Sequence, residues 1–175
     1  MQILKIVVGC MVAAVLYGVV HDQITARIYL PYFTVFHPPV FHTQSPTLQG
    51  LGWGIIATWW MGAFLGMLLA IACRAGSLPQ LTLANIIRPI GILLLVMAAC
   101  ALVSGMIGFV WGRIPQEMAG LLPARAERRF LADWWAHNAS YASGFIGGLV
   151  VCVFAYRTRM EMNRNFGSRS VSAGS

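Results

Sequence analysis

Residues 90–112 read IGILLLVMAACALVSGMIGFVWG, a run of 23 residues that contains no charged side chain. An α-helix rises about 1.5 Å per residue, so about 20 apolar residues are enough to cross the hydrocarbon core of a bilayer. This stretch is long enough to do so with residues to spare. It therefore decides the class of protein, and we interpret the chain as an integral membrane protein.

Three other apolar segments accompany this one, and together they predict the fold. Residues 51–73 form a second uncharged run of 23 residues, and shorter runs lie near both ends of the chain. Lys5 can extend its charged end to the membrane surface, which lengthens the first run. The chain is 58% hydrophobic and 10% charged, whereas soluble domains are roughly 25% charged. We predict an all-α fold, a four-transmembrane-helix bundle with spans at about 3–20, 51–73, 90–112 and 139–156.

The segments between the spans suggest one domain and a tail. The first connection, residues 21–48, is too long for a plain turn, and its aromatic residues suit the membrane–water boundary. We therefore predict a long first extracytoplasmic loop within a single transmembrane domain, residues 1–156. Residues 157–175 are rich in arginine, serine and glycine, which predicts a basic, flexible cytoplasmic tail.

The net charge of +7 is not a sign of nucleic-acid binding, because the charges are divided between the two sides of the membrane. With the N-terminus in the cytoplasm, seven basic residues lie inside and five outside, and four of the five acidic residues lie outside. This bias favours an N-in, C-in, multi-pass protein. Its expected partners are the lipid bilayer and other membrane-protein subunits, with no nucleic acid.

The histidines carry most of the chemistry that the sequence offers. All four lie outside the apolar runs, and this topology puts them on one side of the membrane: His21, His37, His42 and His137. Asp22 follows His21, and Asp133 precedes His137 by four residues, so that the latter two share a helix face if this segment is helical. A carboxylate placed in this way can orient an imidazole that binds a metal. Interfacial histidines without a ligand are the alternative.

Candidate metal ligands follow from this arrangement: His21, Asp22, His37, Asp133 and His137. Imidazoles with a carboxylate suit zinc, copper or iron, and two facing imidazoles suit b-type haem. The sequence has no Walker loop and no nucleophile elbow, so no catalytic residue is predicted and we lean against an enzyme. The spans lack the ionisable groups that ion pathways usually need.

Three motifs resemble those of a family of uncharacterised bacterial four-helix integral membrane proteins. The first is HDQITAR at 21–27, the second is YFT at 32–34 followed by His37-Pro38, and the third is WAHNASY at 135–141. Together they resemble the family pattern HDQ-[IV]-TAR, YFT…HP and WAH-x-ASY, and His42 is not part of it. The resemblance implies a protein of the bacterial inner (plasma) membrane and supplies no activity.

These observations lead to two expectations about function. The first is a structural or accessory subunit of a membrane complex. The alternative is an extracytoplasmic metal- or haem-binding membrane protein that uses the histidine/aspartate cluster.

Overall fold

The computed structural model describes residues 1–116 and 120–172, with side chains as far as residue 165. Helices make up most of this part of the chain, and no strand occurs in it. The predicted all-α class is therefore confirmed. The helices are α1 (Gln2–Ile28), α2 (Pro31–Thr34), α3 (Pro46–Ile56), α4 (Trp59–Arg74), α5 (Leu83–Trp111) and α6 (Glu127–Ser172).

Four helical segments within the described residues are long and apolar enough to cross a membrane, as the sequence predicted. They are Gln2–Ile28, Pro46–Arg74, Leu83–Trp111 and Glu127–Asn165. The bundle consists of two helix pairs: α1 packs along α3 and α4, and α5 packs along α6. Contacts between α4 and α6 join the two pairs. The protein is thus a multi-pass membrane protein by architecture.

The first helix is longer than its apolar run. It continues to Ile28, and the Tyr29 amide donates a hydrogen bond to the Thr25 carbonyl at its end. Pro31 then begins the single turn of α2. The extension matters for the site, because it puts His21 and Asp22 on the inner surface of a helix rather than in a loop.

A column of small residues allows α1 to lie directly against α3 and α4. Its members recur every four residues, so they share one face of the span. They are Gly50, Gly54, Thr58, Gly62 and Gly66. A Cβ added at Gly54 would lie 2.6 Å from the Cα of Val19, and one at Gly62 would lie 2.8 Å from the Cα of Met11. Only a residue without a side chain permits such an approach of two backbones.

This second span is interrupted between α3 and α4, which the sequence did not indicate. The break falls at Ala57 and Thr58, inside the column of small residues. The Thr58 hydroxyl donates a hydrogen bond of 2.5 Å to the Gly54 carbonyl. A side chain that takes over a backbone acceptor in this way competes with the regular helical ladder, and such competition bends helices.

Two prolines lie near the starts of the last two long helices. The helix α5 begins at Leu83, so Pro89 lies inside it. The reason is a reciprocal cap: the Asn85 side chain accepts a hydrogen bond of 2.8 Å from the Thr82 amide and starts the helix earlier. Pro123 begins a turn, and α6 starts after it, at Glu127.

The region beyond residue 156 is helical and partly packed in the bundle. The final helix passes this boundary without interruption and reaches Ser172, whereas residues 173–175 lie outside the described part. Arg159 is 1% exposed, and its guanidinium donates hydrogen bonds to four backbone carbonyls: those of Ala72, Ala75, Leu78 and Pro79. Residues 157–165 therefore include an anchor of the fold, while the predicted division of the chain at 156 stays a prediction.

Candidate metal centre

The first and last spans bring two histidines and an aspartate together at the end of the bundle opposite Arg159. His21 and Asp22 come from α1, and His137 comes from α6. One donor atom from each of these three residues, which we call the trio, lies within 4.8 Å of the others. Asp22 is 5% exposed and His137 is 3% exposed, whereas His21 is half-buried.

The hydrogen bonds of His137 determine which of its ring nitrogens is free. Nδ1 lies 2.7 Å from the Asp133 carbonyl oxygen. A backbone carbonyl can only accept, so Nδ1 carries the proton and donates it. The neutral ring then presents a lone pair at Nε2, which lies 3.3 Å from Oδ1 of Asp22. Two acceptors thus face each other, and a proton or a cation between them is needed to make the contact favourable.

His21 contributes a second free nitrogen. Its ring meets the ring of His137 edge to face, with 4.6 Å between the centroids, and its Nε2 is buried without a hydrogen-bond partner. Buried polar atoms are nearly always paired, so an orphaned imidazole nitrogen beside Asp22 and His137 points to a missing partner. A metal ion is one group that would satisfy all three residues at once.

Asp133 does not have the role that its spacing predicted. The four-residue spacing does bring Asp133 and His137 together, but the backbone carbonyl of Asp133 holds the imidazole, and its carboxylate does not. Both carboxylate oxygens are buried without a hydrogen-bond partner, and the nearby Tyr29 amide is engaged with Thr25. The four-residue spacing alone could not show whether the carbonyl or the carboxylate of Asp133 contacts His137, because in a helix both groups lie within reach of the side chain four residues later.

His37 lies in the loop that covers the trio. Its Nδ1 donates a hydrogen bond of 2.7 Å to the Tyr32 carbonyl, and its ring packs against Tyr32 and Trp53. Burial lowers the pKa of His37, and the hydrogen bond to the Tyr32 carbonyl partly opposes this shift. Because a carbonyl can only accept, Nδ1 of His37 carries the proton in this hydrogen bond. Among the five predicted ligands, His37 and Asp133 do not join the trio, whereas His21, Asp22 and His137 do.

The covering loop itself is fixed by aromatic packing. Tyr32 and Phe33 lie on His137, with ring centroids 4.7 and 5.7 Å away. The buried Gln49 side chain donates to the carbonyls of Phe41 and Thr43 and so holds the loop's second half. His42 is exposed at the surface of this loop.

The remaining polar residues of HDQITAR join α1 to α3. Gln23 donates to the Thr47 carbonyl at 2.9 Å, and Arg27 donates to the Thr47 hydroxyl at 2.8 Å and to Gln23. Thr25 bonds back to the His21 carbonyl. Two residues of this segment, His21 and Asp22, therefore belong to the trio, whereas Gln23 and Arg27 hold α3 in place. All three motifs meet at this end of the bundle.

The sequence analysis did not single out Tyr17, which lies on α1 one turn before His21. The rings of Tyr17 and His21 stack, with their centroids 5.8 Å apart. Its hydroxyl accepts a hydrogen bond of 2.9 Å from Ser140, which ties α1 to α6 again. The four-residue spacing from Tyr17 to His21 was the available signal, but an aromatic residue in an apolar run does not stand out.

The electrostatic balance of the site is incomplete. Two carboxyl groups, those of Asp22 and Asp133, are buried in it. In the described ranges, the one basic side chain within 4.0 Å of a carboxylate is His137, beside Asp22, and this contact is an ion pair only when His137 is protonated. Arg27, at the same end of α1, is exposed and engaged with Gln23 and Thr47. Buried carboxylates are costly without a compensating charge, so the site favours a proton or a cation.

Comparisons with known proteins add no assignment. No protein-family model, no curated protein and no solved structure matches this chain. The resemblance to bacterial four-helix membrane proteins therefore stays a prediction.

Proposed function

We propose that this chain is a metal-binding membrane protein that holds one divalent transition-metal ion between His21, Asp22 and His137. One observation carries the proposal: two imidazoles and a carboxylate from opposite ends of the sequence converge within 4.8 Å, and the Nε2 atom of His137 lies 3.3 Å from a carboxylate oxygen of Asp22.

The distances fit a metal ion with little rearrangement. Bonds of about 2.0–2.1 Å around a tetrahedral zinc ion put neighbouring ligand atoms about 3.3 Å apart. The His137–Asp22 contact already measures 3.3 Å. The widest separation in the trio, at most 4.8 Å, needs a movement that a side-chain rotation can supply. The Asp133 carbonyl fixes the tautomer of His137, as outer hydrogen bonds do for metal-bound histidines.

The ligand set favours particular metals. Two histidines and one carboxylate are the ligands of several catalytic zinc sites and of iron(II) oxygenases, and both types leave a coordination position open. Haem is less favoured, because its two axial imidazoles must lie on opposite faces of a porphyrin. The rings of His21 and His137 instead touch edge to face, at 4.6 Å between centroids.

We further propose that the membrane is the bacterial inner membrane and that the trio lies at its extracytoplasmic face. Two supports are the excess of basic residues on the side of the termini and the motif resemblance. In this orientation the protein would take its metal from outside the cytoplasm.

Metal analysis of the purified protein tests the proposal. We expect about one zinc, iron or copper ion per chain in the wild type, and a cobalt(II) spectrum with the intense visible bands of low coordination after exchange. His137→Ala, His21→Ala and Asp22→Asn should each weaken metal binding by at least about tenfold, since even changes next to the ligands cost 10–100-fold.

His42→Ala is the matched control, because it removes an imidazole from the same outer loop region without touching the trio. It should keep the wild-type metal content. A metal-free wild type that also fails to bind added zinc, cobalt or iron would contradict the proposal. The accessory-subunit role expected from the sequence would then be the better account, and it is compatible with a metal site if the subunit itself carries the ion.

A further inference from the structure

The ligand atoms of the trio are enclosed, so a metal ion has to pass through part of the protein to reach them. Asp22 and His137 are buried, and so is Nε2 of His21, although its ring is half-buried. An entry path is one of the requirements for any proposed metal site. Two large cavities in the bundle, each of about 580 Å³, do not provide it: no member of the trio lines the first, and the second meets His21 alone, away from its buried Nε2. The covering loop, in contrast, carries an imidazole of its own.

His37 in the covering loop has the features of a metal ligand that an arriving ion can reach. Its Nδ1 donates to the Tyr32 carbonyl at 2.7 Å, so the neutral ring presents a lone pair at Nε2. The Asp133 carbonyl fixes the tautomer of His137 in the same way, also at 2.7 Å. In the described part of the chain, Nε2 of His37 has no hydrogen-bond partner, and it is not among the fully buried polar atoms. It is therefore accessible and free to bind.

Two aromatic rings connect His37 with the trio. The ring centroid of Tyr32 lies 4.9 Å from that of His37 and 4.7 Å from that of His137. The ring of Phe33 also contacts both imidazoles, with centroid distances of 5.8 and 5.7 Å. The two imidazoles therefore lie on neighbouring sides of one thin aromatic layer, and an ion that leaves His37 has this layer to pass before it meets His137.

We propose that His37 is the entry ligand of the trio: its Nε2 binds an incoming divalent transition-metal ion first and then passes it inward. The proposal rests on the proposed function and adds the route by which the site is filled. In the transfer, the bond from the ion to His37 breaks as bonds to the trio form, and the rings of Tyr32 and Phe33 turn aside. The oxidation state of the ion does not change.

The cost of desolvation explains why an entry ligand is useful. An unpaired charge is expensive in an apolar environment, so an ion that lost its water at the aromatic layer without a protein ligand would meet a high barrier. An imidazole at the layer replaces part of the water before the ion passes. The buried carboxyl groups of Asp22 and Asp133 then attract the cation inward.

This role is kinetic, and it differs in a measurable way from that of a fourth ligand. His37 does not join the trio, because its ring and that of His137 both pack against Tyr32 and Phe33. A residue that contacts the ion only on its way lowers the barrier equally in both directions. Association and dissociation therefore become faster by the same factor, and the dissociation constant does not change.

Rates of cobalt(II) exchange test the proposal. The growth of the visible cobalt spectrum after rapid mixing gives the association rate, and its loss after addition of excess EDTA gives the dissociation rate. His37→Phe keeps an aromatic ring against Tyr32, Phe33 and Trp53 but has no nitrogen. We expect both rates to fall by at least about tenfold, which corresponds to about 1.4 kcal/mol in the barrier. The equilibrium affinity should stay that of the wild type.

Two further variants separate the ligand role from packing. His42→Phe is the matched control, because it makes the same replacement at an exposed position of the same loop, and it should exchange cobalt like the wild type. His37→Ala also lacks Nε2 and should be slow as well, although it loosens the loop. A loosened cover by itself would speed up exchange, so the direction of the change distinguishes the two effects.

Cobalt exchange in both His37 variants as fast as in the wild type, or faster, would overturn the proposal. Equal slowing in His42→Phe would overturn it too, and so would a weaker affinity with an unchanged association rate, which would make His37 a ligand of the bound ion. Failure of the proposed function gives a different result, namely a wild type that binds no cobalt at equilibrium, and it would overturn both.

Discussion

At the scale of single residues, Arg159 satisfies a group of carbonyls that no helix can satisfy. The last carbonyls of a helix have no partner within it, and α4 ends at Arg74. The guanidinium of Arg159 takes up the carbonyl of Ala72 in the last turn and three more in the loop that follows. A flat group with five donors can serve several acceptors at once, which a lysine cannot do in the same geometry.

We expect Arg159→Met to lower the free energy of unfolding by about 3 kcal/mol or more, because hydrogen bonds to a charged group contribute about 1.5–3 kcal/mol each and four buried acceptors lose their partner. Denaturant titration in mixed micelles measures the change. Arg157→Met removes an exposed arginine two residues away and should be nearly neutral. Equal effects of the two substitutions would show that Arg159 contributes no more than surface charge.

The sequence could predict part of the site at this scale. The sequence predicted five candidate ligands, and the structure brings three of them, His21, Asp22 and His137, together. The role of Asp133 could not be predicted, since the main chain competes with the carboxylate for the same ring nitrogen. Arg159 was also missed. An arginine in a basic segment looks like a solvated charge, and its partners lie 80–87 residues earlier in the chain.

At the scale of helices, the glycines differ in how closely neighbouring atoms pack against them. Those facing α1, such as Gly54, lie against backbone atoms that cannot move aside. Gly144 on α6 faces the flexible end of the Met97 side chain instead. A Cβ added at Gly91 on α5 would meet no neighbouring atom within 4 Å, so nothing in the packing requires a glycine there.

Alanine substitutions should therefore rank in a definite order. Gly54→Ala should destabilise the protein by about 1–3 kcal/mol, the usual cost of forcing bulk into a packed contact. Gly144→Ala should cost much less, because Met97 can turn away. Gly91→Ala should stabilise by about 0.5–1 kcal/mol through the reduced flexibility of the unfolded chain. Thermal unfolding in detergent measures all three, and a Gly91→Ala effect as large as that of Gly54→Ala would contradict the packing argument.

Element boundaries were the less predictable part of the fold. Apolar runs located all four spans, because hydropathy reports directly on the bilayer. The ends of the helices depend instead on local hydrogen bonds: the cap at Thr82 starts α5 early, and the Thr58 hydroxyl contributes to the break between α3 and α4. Such bonds form from single polar side chains, which a window of average hydropathy does not resolve.

At the scale of the whole molecule, the two ends of the bundle differ in kind. One end carries the trio and its aromatic cover, and the other carries the α4–α5 connection and Arg159. An even number of spans returns the last helix to the side on which the first began. Which end of the bundle faces the cytoplasm depends on the arginines near the helix ends. Their excess on the side of the two termini predicts that the trio faces away from the cytoplasm.

Cysteine labelling at two exposed positions tests this orientation. Gln44→Cys lies in the loop that covers the trio, and Ser77→Cys lies in the α4–α5 connection at the other end. In a background without the four natural cysteines, an impermeant maleimide should label Gln44→Cys on intact cells and Ser77→Cys after the membrane is opened. The reverse pattern would put the trio on the cytoplasmic side.

The trio also has a consequence for the order of events during synthesis. Asp22 and His137 are 115 residues apart, and they come from the first and the last membrane span. A nascent chain therefore carries an incomplete ligand set until its fourth span has left the ribosome and entered the bilayer. Under the proposed function, metal loading would follow insertion, and a chain truncated before α6 would lack His137 and so the complete ligand set. A bound ion would thus distinguish finished molecules from incomplete ones.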